Sequence, residues 1–108
     1  MTKYIIFLIF SLSLMLSQSY KVQPPIVDIN GVIFKENDEI PYTGKITVFW
    51  GNNALKEEGI YREGVKSGLW KYWYATGELF SKGIFRNGLK TGVWIEWHEN
   101  GNKKTQSI

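Results

Sequence analysis

Few side chains in this chain are equipped for chemistry. His98 is the single imidazole, the group whose ordinary pKa best suits proton transfer near neutral pH. It falls in a column otherwise filled by Trp50 and Tyr74, where a packing role is expected of it. Glu36, Glu39, Glu57 and Glu58 are carboxylates on strands or in a turn with no fixed partner, so no poised acid–base pair is marked. The sequence contains no nucleophile motif, phosphate-cradling loop or metal-spaced cluster. Cysteine is absent, which excludes thiolate metal sites, a cysteine nucleophile and disulfides. The expectation is a non-catalytic protein without cofactor or metal.

Aromatic residues are the other chemical resource, and their spacing is regular. Gly44 to Asn53 reads GKITVFWGNN, Gly68 to Gly77 reads GLWKYWYATG, and Gly92 to Gly101 reads GVWIEWHENG. These segments start 24 residues apart, and Gly59 to Lys66 (GIYREGVK) likewise matches Gly83 to Lys90 (GIFRNGLK). A fixed period of this size marks a repeat architecture, whose units bury their apolar faces by stacking on one another. All five tryptophans, Trp50, Trp70, Trp73, Trp94 and Trp97, lie inside the repeats. With no disulfide available, stability must come from packing them.

Each period holds two short strand candidates. Leu69 to Ala75 is rich in aromatic residues, which favour a pleated surface, and Glu78 to Phe85 forms the return strand. Thr76-Gly77 and Asn100-Gly101 read as tight hairpin turns, and Asn87-Gly88 and Glu63-Gly64 supply the alternate turns. Gly64, Gly77, Gly88 and Gly101 are the turn glycines, with Asn53 filling the slot in the first copy. No window shows an apolar period of 3.6 residues with helix caps. The predicted fold is therefore all-β, an elongated single-sheet meander of hairpins.

Alternation of faces along a strand places columns 46/70/94, 48/72/96 and 50/74/98 on one side. Columns 45/69/93, 47/71/95 and 49/73/97 fall on the other. The candidate binding surface is drawn from both ladders: Phe49, Trp73 and Trp97, and Trp50, Trp70, Tyr72, Tyr74 and Trp94. Either strong twist lets neighbouring hairpins cover both faces, or one ladder stays exposed and binds a partner.

The ends complete the layout. Lys3 precedes a thirteen-residue apolar run from Tyr4 to Leu16, broken by Ser11 and Ser13, and Ser17 and Ser19 are small residues at a cleavage position. Residues 1–19 thus read as a signal peptide, since the thirteen-residue run falls short of the ~20 residues that span hydrocarbon. Cleavage near Ser19 gives an exported chain, and lack of cleavage gives a membrane anchor. Residues 20–30, with Pro24-Pro25, read as a linker or edge segment. The repeat domain occupies 31–108, with repeats starting near 44, 68 and 92 after a degenerate cap at 31–43, where Ile33 to Asn37 echoes Ile60 to Gly64. Without the signal, twelve basic residues face ten acidic ones, interspersed along the strands. That mixture lacks the basic stripe that nucleic-acid binding requires.

The string from Tyr61 to Leu79 (YREGVKSGLWKYWYATGEL), repeated from Phe85 to Gly101, resembles the bacterial MORN-repeat variant. Pro41 to Gly44 (PYTG) is similar to that family's common entry motif. The resemblance covers about residues 31–106 and departs from the pattern at His98 and in the first copy. Many members are labelled a YwqK-type antitoxin component family. The resemblance implies a row of β-hairpins acting as an interaction module, with links elsewhere to phospholipids and protein scaffolds. The expected function is protein–protein interaction, as an antitoxin- or immunity-like component whose unknown partner is a toxin or envelope protein. The alternative is a membrane-surface scaffold, with Trp and Tyr as interfacial anchors and Lys66, Lys71, Lys82 and Lys90 facing anionic lipid.

Overall fold

The computed structural model describes residues 20–108, and the expected signal peptide at 1–19 lies outside the described residues. Over this range the chain is all-β. The strands are β1 (Tyr20–Gln23), β2 (Ile26–Ile29), β3 (Val32–Lys35), β4 (Gly44–Trp50), β5 (Leu55–Arg62), β6 (Val65–Trp73), β7 (Leu79–Arg86), β8 (Leu89–Trp97) and β9 (Lys103–Ser107). A seven-stranded sheet runs in the order β1-β4-β5-β6-β7-β8-β9, antiparallel throughout. From β4 onward each strand pairs with the next, which is a meander. The sequence predicted a single sheet; instead, β2 and β3 form a separate two-stranded ribbon.

Turn chemistry explains both the agreement and the difference. Glu63-Gly64 and Asn87-Gly88 have φ of 50° and 83°, and 52° and 81°, the double positive φ of a two-residue type I′ hairpin turn. Asn30-Gly31, at 53° and 84°, makes the same turn between β2 and β3, so part of the segment read as a linker or edge is a hairpin arm. β1, in that same segment, lies against β4 at the sheet edge.

The turns at Thr76-Gly77 and Asn100-Gly101 are longer than predicted. Tyr74 N–H donates to Glu78 O at 2.8 Å and Gly77 N–H donates to Tyr74 O at 3.0 Å, leaving a three-residue loop. The same pair of bonds closes Trp50 to Ala54 and His98 to Asn102. In these loops only the third residue takes positive φ: Asn53 at 69°, Gly77 at 96° and Gly101 at 89°. This is a type I turn followed by a left-handed residue, rather than the two-residue turn that Asn100-Gly101 suggested.

Alternation then sorts the side chains. Ile46, Val48, Tyr61, Trp70, Phe85 and Trp94 point to one face and form the core, joined by Ile33 from the ribbon. Within it Tyr61, Trp70, Phe85 and Trp94 meet edge-on in sequence, with centroid separations of 5.2, 6.0 and 5.1 Å. The core is thus a row of rings running across the strands. Ile33 N–H donates to Gly64 O at 2.9 Å and Gly64 N–H donates to Tyr42 O at 2.8 Å, which ties the ribbon to the β5–β6 turn. One period on, Gly88 N–H donates to Lys66 O at 3.0 Å.

Candidate interaction surface

Two glycines decide which face is closed. Gly59 on β5 is the landing place for Trp70, and Gly83 on β7 is the landing place for Trp94. A Cβ at either position would fall inside the indole ring. Each indole therefore lies flat on backbone and reaches one residue further, where Nε1–H donates to Ile60 O at 3.1 Å or Ile84 O at 3.2 Å. That satisfies the polar atom that makes tryptophan costly to bury. Trp70 is 0 % exposed and Trp94 6 %. Both were drawn into the candidate surface from sequence, and both are core.

Lys66 closes this face from above. Its ammonium lies 4.6 Å from the Trp70 ring and 5.1 Å from Phe85, donates to Tyr72 Oη at 2.9 Å, and stands 4.0 Å from a Glu57 carboxylate oxygen. Lys90 repeats the stacking on Trp94 at 4.6 Å. Burial lowers the Lys66 pKa, opposed by Glu57 and aided by Lys90. Burial, with the Glu57 and Asp28 carboxylates, pushes the Tyr61 phenol up to about 12. Tyr72 is raised as well, by burial first and then by Glu57 and Tyr61.

Column 50/74/98 works at the hairpin mouths. Trp50 Nε1–H donates to Trp73 O at 3.1 Å and Tyr74 Oη–H donates to Trp97 O at 2.7 Å, each reaching the next hairpin. His98 holds the same place at the β8–β9 mouth, where no later hairpin lies among the described residues. It is exposed, in place of the packing role expected of it.

The opposite face is open. Phe49, Trp73 and Trp97 lie there, half-buried, with Lys82 stacked over Trp97 at 5.9 Å. Ile60, Leu69, Ile84 and Val93 form a row across β5 to β8 and are 50, 48, 42 and 44 % exposed. The strand register also places Lys21, Lys45, Arg62, Lys71, Lys82, Arg86 and Lys103 on this face. Glu58 is its strand acid among the described residues, and it is already within 3.5 Å of Lys45. Charges that look mixed in sequence are therefore sorted by face. The signal was present as strand parity, which a count along the chain does not detect. The same parity divides the four lysines assigned to lipid: Lys71 and Lys82 pair across strands here, whereas Lys66 and Lys90 belong to the closed face.

Two grooves cut the open face. One of about 550 Å³ is lined by Arg62, Val65, Ser67, Ile84, Arg86 and Thr91, with Glu63, Phe85 and Asn87. A smaller one of about 270 Å³ lies among Lys45, Glu58, Ile60, Leu69 and Lys71. Among the described residues, no group of three or more His, Cys, Asp or Glu side chains is placed to hold a metal. No family model, curated protein or solved structure matches the chain.

Proposed function

We propose that this chain is an exported, non-catalytic MORN-type repeat protein that binds another protein through the open face of its sheet. The recurrence of packing at 24-residue intervals supports the repeat reading: indole on glycine at Gly59 and Gly83, lysine on indole at Lys66 and Lys90, and the same loop bonds at three hairpin mouths. The observation that carries the binding reading is the row of Ile60, Leu69, Ile84 and Val93, left open on a sheet whose other face is filled. A contiguous exposed apolar row flanked by polar residues is the usual mark of an interaction site. Phe49, Trp73 and Trp97 extend it as half-exposed anchors. The partner would be a toxin, in an antitoxin- or immunity-like role, or an envelope protein. The test is partner capture from an envelope extract by the wild-type chain and by the Trp73→Ala/Trp97→Ala variant. Loss of the partner with the fold intact supports the reading, and retention of every partner rules the aromatic surface out.

A second reading, attachment to an anionic membrane surface, is favoured by one observation: the aliphatic row shares its face with Lys71, Lys82, Arg62 and Arg86. Co-sedimentation with anionic vesicles at low salt tests it, and failure to sediment removes it.

A further inference from the structure

The larger groove has a chemistry of its own. Arg62 on β5 and Arg86 on β7 stand two strands apart and two residues offset along β6, roughly 12 Å at the usual strand spacings, and both line it. Both are exposed, and neither guanidinium has an ion-pair or hydrogen-bond partner among the described residues. Ser67 and Thr91 add hydroxyl donors to the same lining, and Ile84 joins the groove to the aliphatic row. Two unpaired guanidinium groups lining one concavity favour an anion there. The planar fork of arginine matches a carboxylate through two parallel N–H···O bonds.

We propose that this groove is a carboxylate site, which receives an acidic side chain of the protein partner while neighbouring apolar residues of that partner lie on Ile84, Leu69 and Val93. The proposal rests on the protein-binding reading above and adds the chemistry of the partner: an acidic residue within an apolar stretch. Charge supports that occupant, because the open face carries seven strand lysines and arginines against Glu58. A concavity of about 550 Å³ has room for a side chain. Glu63, in the β5–β6 turn, also lines the groove, so one acid there stands against two guanidinium groups.

The test uses a capped peptide of roughly ten residues, long enough to cross several strands, with glutamates set among valines and serines. It is titrated against isotopically labelled protein and followed by NMR, beside the same peptide with glutamine for glutamate. The expected result is movement of the Arg62 and Arg86 side-chain signals and of the Ser67 and Thr91 amides with the glutamate peptide. Affinity should fall about tenfold or more in the R62Q/R86Q variant, whose thermal unfolding should match wild type because both side chains are exposed. If R62Q/R86Q binds the glutamate peptide as well as wild type does and Leu69→Ser weakens it, the carboxylate site is overturned and the protein-binding face stands. If phosphatidylglycerol vesicles bind through the two arginines and the peptide does not, both readings are overturned. Absence of binding to either probe overturns the site.

Discussion

Gly59 and Gly83 are small residues with a large structural consequence. Each lies under an indole of the neighbouring strand, and the ring occupies the space where a Cβ would be. Gly83→Ala should lift Trp94 off the sheet and cost roughly 1–3 kcal/mol, read as a lowered urea midpoint. Trp70→Ala should cost about 3–5 kcal/mol, because it removes the most buried ring of the row. Tyr61 gives a pH signature. Its folded pKa is raised to about 12, so above pH ~10 the unfolded chain loses the phenolic proton first. Stability should therefore fall as pH rises from about 10 to 12, and Tyr61→Phe should flatten that fall. Lys66 acts in the opposite sense. Its lowered pKa disfavours the folded state while the ammonium is charged, and that penalty is relieved as pH rises toward the ordinary lysine value. The indoles were legible in the sequence as repeating aromatic columns. The role of Gly59 and Gly83 was not, because it arises from a neighbouring strand that the local sequence does not specify.

Hairpins are the unit at the next scale, and their turns vary in fitness. Asn87-Gly88 and Asn30-Gly31 carry the preferred type I′ pair, whereas Glu63 holds φ of 50° without a side chain suited to it. Glu63→Asn should stabilise the β5–β6 hairpin by about 0.5–1 kcal/mol, seen as a raised Tm. The backbone bond from Glu63 N–H to Thr43 Oγ1 at 2.8 Å does not depend on the substitution. Strand order from β4 to β9 was legible because each turn glycine announces the next reversal. Loop length at Gly77 and Gly101 was not, since the closing pair, Tyr74 with Glu78 or His98 with Asn102, decides it. The β2–β3 ribbon was hidden for another reason: Pro24-Pro25 made its surroundings read as a linker or edge segment, although Asn30-Gly31 carried the same turn signal as Asn87-Gly88.

At the scale of the whole fold, the described residues 20–108 measure 49 × 34 × 18 Å, so over most of its area the fold is little more than one sheet with side chains on both faces. Such a body buries one face well only by laying its rings flat along the sheet, which the indole–glycine contacts allow. The other face is then left to solvent or to a partner. Its basic character was invisible to a charge count along the chain, because alternation sends Glu57 and Glu96 to the closed face and Lys71 and Lys82 to the open one. Hydroxyl-radical footprinting of the protein measures this division most directly. Expected is heavy labelling of Ile60, Leu69, Ile84 and Val93 with protection of Trp70 and Trp94. Labelling of Trp70 as fast as Leu69 would contradict the two-faced sheet on which the proposed binding depends.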